Sequence, residues 1–578
     1  MDLLRRLANR VSRQFSLLRD RLGVYRELTR RIRRCPGTSV VLTPERPSWR
    51  ARRWLARTVR TTLPGRLQVV VTGPGAEERL AHLGDVDLVV DLTTVSRARP
   101  PRAPAEDGAA EAAQGAEGAS AWPHLRQGGA YVEVLSLVPS RRRRQRRRWL
   151  QPSGGRRVVD AIAAEHARSI GPVREHAGVL VVRKVAEHLL LLTEEDVQVL
   201  LPARSGVRVT PLAVRAGGTF DPGRRVTGAV DDPAGRGDPP ATSTDGLLRA
   251  PVVQLRHYAG PVELWDGMVV TAGSTVLPES FKWFDHRPLE NRKLSPVGPR
   301  HARRRLEERP PESLAGDYYY FEYKNAGHYG HLLTEALAKL WAWPEVVARE
   351  PGVRLLMREH PRDARRKRPR ADLRLLEAFG IGASDVTWIR DPVRVQSLYA
   401  ATPMLHNKPP YAIHPDLLGV WQRVRDGLLA TEFEPPPRSE RIFVTRHGGN
   451  RACRNHARVE ALFASYGFTV LRPEQLDVAQ QAAVFDAATV VAGFGGTGMF
   501  NLIFATSRPT VIVLNQESYD ARNEDLISGV LGCDLHYFWS AADQSHPPGE
   551  FSYSAFQSGW EFDFDRNEAA LRGLLAGL

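Results

Sequence analysis

Residues 318–343, YYYFEYKNAGHYGHLLTEALAKLWAW, hold the densest set of groups able to move a proton. An aromatic run from Tyr318 to Tyr323 leads into Asn325, Gly327 and Gly330, after which a helix is expected. At about 100° per residue, His328, His331, Glu335 and Lys339 fall within a stripe about 80° wide. Leu332, Leu333, Ala336, Leu337, Leu340 and Trp341 take the neighbouring side, so ionisable groups border a buried face. A histidine and a carboxylate one turn apart can divide the work of a general base. His331 takes a proton from a hydroxyl, and Glu335 orients the ring and raises its basicity. The opening of a helix also favours negative charge, through its dipole and its free amides. The same pair also reads as one that caps or solubilises the helix, and pattern alone does not separate the two.

A second set of groups lies in residues 438–515. Arg446, His447, Arg451 and Arg454 follow the strand-like RIFVT, and Gly495, Gly496, Thr497 and Gly498 follow TVVAGF. A glycine-lined turn lets backbone amides approach a diphosphate, while arginines bind its oxygens through forked, charge-assisted contacts. Pro473 and Glu474 follow FTVLR, where Glu474 could reach a ribose hydroxyl.

The elements that must position these groups alternate. RIFVT, FTVLR, TVVAGF and PTVIVL read as strands, and HARVEALFASYG, DVAQQAAVFDAA and TGMFNLIFA as the helices between them. Short connections imply a parallel sheet with right-handed crossovers, whose ligands bind beyond the strand carboxyl ends. The arginine loop and the glycine turn would then share one edge.

Upstream, residues 1–34 read as a basic amphipathic helix, with Leu3, Leu7, Val11, Phe15, Leu18 and Leu22 on one face. Such a helix can lie on an anionic membrane, or pack its stripe on the domain that follows. Residues 35–150 alternate strand and helix as in a small Rossmann-like domain, with a low-complexity insertion at 98–120. LQVVVTGPGAEERL resembles a nucleotide-binding turn and VDLVVDLTT a methyltransferase strand. Gly73 and Gly75 lack a third glycine, however, so the module is read as degenerate. The run RRRRQRRRW at 141–149 has no aromatic interleaving and reads as a solvated linker, so nucleic acid is not expected as a partner. Residues 151–249 connect, with a Gly/Pro/Asp-rich stretch near 221–246, and a β-rich texture begins at 250.

The two chemical segments resemble glycosyltransferase family 61. That family carries an N-x-x-H or Y-x-H stretch, an acidic residue and a leucine-rich helix, matched by NAGHYGHLLTEALAKLW. It also carries a serine-arginine strand end, a later arginine, a proline-glutamate and a final His-Gly-x-Gly-x-x-Asn turn. Here these read Thr445–Arg446, Arg451, Pro473–Glu474 and GGTGMFN, ending at Asn501. Gly495 stands in place of the histidine, and Thr445 keeps the serine's hydroxyl. The resemblance spans about residues 250–540. It implies an α/β, GT-B-like pair of Rossmann-type lobes, residues 250–435 for the acceptor and 436–578 for a nucleotide-sugar. It further implies an inverting glycosyltransferase of the bacterial capsular-polysaccharide type, needing neither metal nor cofactor beyond its donor. His331, Glu335 and His328 would be catalytic. Arg446, Arg451, Glu474, Gly496, Thr497, Gly498 and Asn501 would hold the donor. The rival reading is a non-catalytic basic protein, binding RNA or membrane on a decayed transferase fold.

Composition narrows the setting. The chain has 578 residues, too many for one core, and a net charge of +16 in which arginine greatly outnumbers lysine. No run of about eighteen apolar residues occurs, so no transmembrane helix is expected. Arginines interrupt the apolar N-terminus, which argues against a secretory signal. Cys35, Cys453 and Cys533 are far apart and read as free thiols, giving a cytoplasmic expectation with possible peripheral membrane contact. Asp563 and Asp565 lie near the C-terminus, and Asp85, Asp87 and Asp91 along one strand. Neither set converges as metal ligands do, and His406 and His414 have no metal-ligand company.

Overall fold

The computed structural model describes residues 23–44, 47–62, 66–72, 75–92, 121–134, 168–176, 179–228, 246–282, 289–305, 309–359, 370–407 and 409–578. The insertion at 98–120, the run at 141–149 and the first 22 residues lie outside them. The chain divides into two compact units, Met1–Val209 with Gly260–Pro311, and Thr210–Ala259 with Glu312–Leu578. These contact-defined units cut the chain differently from the sequence divisions at 250 and 436. Both are mixed α/β.

In the first unit, six strands lie in the order Leu67–Val71, Ser39–Thr43, Val86–Asp91, Leu125–Val134, Val179–Lys184, Ile170–His176. The first four are parallel, and Val179–Lys184 runs antiparallel to both of its neighbours. SVVLT and VDLVVD are apolar on both faces because both faces are covered. Val40, Leu42 and Val89 pack with Trp122 and with Leu80 of the helix Ala76–His82. Val41, Leu88 and Val90 pack with Val24, Leu28 and Ile32. Those last three lie on a helix over residues 23–34, and at i, i+4 and i+8 they form one buried stripe. The apolar stripe expected from Leu3 to Leu22 lies outside the described residues.

The second unit holds two parallel α/β sheets. The first is a parallel run of four strands, Val393–Ala401, Asp317–Tyr320, Arg354–Arg358 and Val386–Ile389, at one end of a larger mixed sheet. The second orders Val226–Thr227, Leu535–Ser540, Thr510–Gln516, Val490–Phe494, Arg441–Val444 and Thr469–Leu471. One hydrophobic cluster runs through both, from Tyr319 and Leu337 to Val444, Val491 and Val513. The far face of the second sheet is covered by the helices His456–Ala464 and Phe564–Gly577, through Val459, Phe463, Leu571 and Leu575. Asp563 caps the latter helix by accepting from Arg566 N at 3.0 Å, a structural use for one half of the late D-x-D.

Candidate active site

The order of the second sheet decides what can meet. From Arg441–Val444 the chain crosses to the edge strand Thr469–Leu471, then returns to pair Val490–Phe494 on the other side. The two crossovers diverge between Arg441–Val444 and Val490–Phe494, which opens a crevice beyond their carboxyl ends. Val444 is in register with Gly493, so Arg446 and Gly496 emerge side by side.

At Gly496 the backbone adopts φ 133° and ψ −163°, a conformation that only glycine holds without strain. A Cβ there would collide with Nη2 of Arg446, reach to 3.3 Å from its Cζ and lie 3.4 Å from Nη2 of Arg451. Two guanidinium groups therefore press on a bare turn. Arg446 is held by Nη1 donating to Asn450 O at 3.1 Å. Burial, then the charge of Arg451, lowers its pKa, while Tyr519, Glu524 and Glu474 act in the opposite direction. Arg451 has φ 58°, stacks 4.6 Å over Tyr519, and donates from Nη1 to Gln557 Oε1 at 3.4 Å. Its Nε is buried without a hydrogen-bond partner. A cationic pair crowded in this way is built to receive an anion.

Beneath the turn lies Glu524, almost wholly buried, accepting from Gly496 N at 2.6 Å. Burial raises its pKa to about 7, against the pull of the Gly496 amide, Arg451 and Arg446. Asn515 is the second unexpected neighbour. A Cβ on Gly495 would collide with its Nδ2, so the Asn515 amide fills the space beside the position where the family has histidine.

Across the unit, the strand Asp317–Tyr320 ends in a loop that carries Asn325 at φ 57°. The helix begins at Tyr329, so His328 precedes it instead of sharing its stripe. After His331 the helix widens to a π-type turn, Leu332–Ala336, then tightens over Leu337–Ala342. Single π-type turns recur at functional sites. The bond expected from the i, i+4 spacing is present. His331 Nδ1 lies 2.8 Å from Glu335 Oε1, and Glu335 Oε2 accepts from Lys324 N at 3.1 Å. Asn325 Nδ2 approaches His331 Nε2 at 3.1 Å. This network places the ring proton on Nδ1 and leaves Nε2 as the basic atom. The rings of His328 and His331 are 4.9 Å apart, and burial, then His331 and Arg451, lowers the pKa of His328. Lys339 turns inward and donates to Glu322 O at 2.5 Å.

The two segments converge. Tyr329 donates its hydroxyl to Asn501 Oδ1 at 2.9 Å. A Cβ on Gly330 would lie 2.7 Å from Thr497 Oγ1 and 3.2 Å from Phe500 Cε2. His328 feels the charge of Arg451. Of the residues singled out from sequence, His328, His331, Glu335, Arg446, Arg451, Gly496 and Thr497 thus belong to one locality. Gly498 packs closely on Val444 and Pro473. Glu474 is largely exposed and paired with Arg472 at 2.9 Å, near enough to act on the charge of Arg446. Asn501 is fully buried, and its Nδ2 donates to Gly498 O at 3.1 Å. Engaged at both ends of its amide, it ties the segments together and does not stand open to a donor. Glu524, Asn515, Tyr519 and Gln557 escaped the sequence reading; only the acidic pair Glu524–Asp525 left a trace there, one that reads as a helix-start signal.

Residues 329–513 match the family model described as Glycosyltransferase 61, and this bears out the resemblance and supports a glycosyltransferase. No curated protein matches the chain. Among solved structures, the chain is similar to the MycE methyltransferase from the mycinamycin biosynthetic pathway. Crystal form 1, with Mg and SAH, is 16% identical over 28% of this chain and 48% of that one, at a TM-score of 0.18. The complex with Mg, SAH and mycinamycin VI is 14% identical over 29% and 47%, at 0.17. The chain spans about half the length of these structures, and likeness this slight says nothing about fold or chemistry here. Among the described residues no helix is long and apolar enough to cross a membrane.

Proposed function

We propose that the second unit transfers a sugar, with inversion, from a nucleotide-sugar to an acceptor hydroxyl in polysaccharide or glycoconjugate synthesis. The observation that carries this reading is the meeting of Arg446 and Arg451 with the bare turn at Gly496, next to the His331–Glu335 pair. The two parallel sheets play the lobes of a GT-B-like pair, with the donor on Arg441–Ser540 and the acceptor near Asn325–His331. His331 Nε2 takes the proton of the acceptor hydroxyl, exchanging Asn325 for it. The freed oxygen attacks the anomeric carbon as that carbon's bond to the phosphate oxygen breaks. Glu335 stabilises the imidazolium, and His328, kept neutral by its surroundings, borders the reacting centre. Charge building on the leaving diphosphate falls on Arg446, Arg451 and the amides of Thr497 and Gly498, the Gly496 amide being held by Glu524, so the step needs no metal. Glu474 is placed for the ribose once it exchanges Arg472 for a hydroxyl. Gly495 supports the reading despite the missing histidine, because the Asn515 amide occupies the neighbouring space.

A thermal-shift panel of UDP-, GDP-, CMP- and dTDP-sugars tests this, since a ligand of the folded state stabilises it by mass action. One sugar class should raise Tm and be turned over in the presence of EDTA. No shift with any of them, or turnover abolished by EDTA even at saturating donor, would contradict the proposal.

A further inference from the structure

We propose that the loop carrying Arg446 also holds a divalent cation of the zinc type, between His447, His456 and Glu460. One ligand atom from each lies within 4.8 Å of the other two. His456 and Glu460 are four apart on the helix His456–Ala464, which places them on one face. His447 comes from the loop after Arg441–Val444, and its ring lies 4.5 Å from that of His456.

The surrounding hydrogen bonds prepare each ligand. His456 Nδ1 donates to Cys453 O at 3.0 Å, which fixes the proton there and leaves the lone pair on Nε2. Thr445 Oγ1 donates to Glu460 Oε1 at 2.5 Å and orients the carboxylate. His447 Nε2 sits 2.8 Å from the same oxygen. Bonds of about 2.0–2.2 Å at a tetrahedral angle would part these two atoms to roughly 3.4 Å, a small opening. The cation would displace the proton between them, and His447, more than one-third exposed, can release it to water. Nearby positive charges are already engaged. Arg454 pairs with Asp543 and Glu561, and Arg458 with Glu568. Two imidazoles and one carboxylate, with a fourth position for water, suit zinc or cobalt.

Glu77, His124 and His301 form the other such group among the described residues, but it does not offer the same chemistry. Arg204 Nη2 lies 3.2 Å from His124 Nδ1, and a guanidinium can only donate. The proton of that buried neutral ring therefore sits on Nε2, which then has no lone pair for a metal.

Thr445 and His447 face the helix, while Arg446 between them faces Gly496. The cation would thus clamp the loop on both sides of Arg446 without touching the donor. That consequence rests on the function proposed above; the existence of the site does not.

The test is a Co2+ titration of the metal-stripped full-length protein, read by visible absorption without nucleotide-sugar, followed by Zn2+ displacement. We expect a tetrahedral cobalt band saturating at one ion per chain and displaced by Zn2+. It should be lost in His456→Ala and in the exposed-residue variant His447→Gln, and retained in His124→Ala. No band, or a band that survives both loop variants, would overturn the site. A donor Kd unchanged by Zn2+ in a protein that shows the band would overturn the clamp alone.

Discussion

Gly496→Ala is the sharpest perturbation available, because it changes the turn without removing a charge. Its methyl group would overlap Arg446 Nη2 and press to 3.3 Å from Cζ and 3.4 Å from Arg451 Nη2. The guanidinium of Arg446 must retreat by about an ångström to restore ordinary contact, which is enough to break a forked hydrogen bond to a phosphate oxygen. Losing one such donor at a developing anion costs about 2–4 kcal/mol, roughly 30- to 1,000-fold in kcat/KM. The backbone at φ 133° adds a separate stability cost of about 1–3 kcal/mol. Steady-state transfer kinetics with the donor found by thermal shift would measure the first effect, and urea unfolding the second. Gly419→Ala is the control: it lies in the helix Leu417–Leu429 and has open space at its Cβ. A folded Gly496→Ala protein with unchanged donor KM and kcat would refute the reasoning, since the arginines would then not be working against that turn.

His331→Ala should lower kcat by about 10²–10⁴-fold with donor affinity retained, and Glu335→Gln should lower it less, both measured in single-turnover transfer. Tyr329→Phe leaves Asn501 Oδ1 buried without its donor and should cost about 1–3 kcal/mol, seen as a lower Tm. Glu524 is half-protonated near pH 7 in the fold, whereas an unfolded carboxyl has a pKa near 4.5. Between those values the native state binds more protons, so its contribution to stability is present at pH 4.5 and is lost as pH rises through about 7. Glu524→Gln should flatten the fall in Tm across that window, and an undiminished slope would show that another group titrates.

Much of the fold was legible because parallel strands covered on both faces must be apolar throughout. RIFVT, TVVAGF and PTVIVL announced themselves this way, and the shared carboxyl edge of the arginine loop and the glycine turn followed from short crossovers. The pairing of His331 with Glu335 was legible from i, i+4 spacing. Its surroundings were less so, because the helix widens at Leu332–Ala336 and starts one residue after His328, departures that ideal periodicity cannot express. Asn501 looked like a donor ligand as the last letter of a motif, yet the tight helical turn after Gly496 carries it inward to Tyr329. Glu524 was hidden for a different reason. It lies 28 residues from Gly496, on a helix whose acidic first turn has an ordinary explanation in the helix dipole. Only the tertiary fold shows that this carboxyl accepts from the glycine turn.

Calorimetric titration of the nucleoside diphosphate released by the active donor, into wild-type protein and Arg446→Ala, bears most directly on the crevice between Arg446 and Gly496. We predict one site per chain in the wild type, and affinity weakened by at least tenfold in the variant, about 1.4 kcal/mol. Equal affinity in the two proteins would place the diphosphate somewhere else and contradict the assignment.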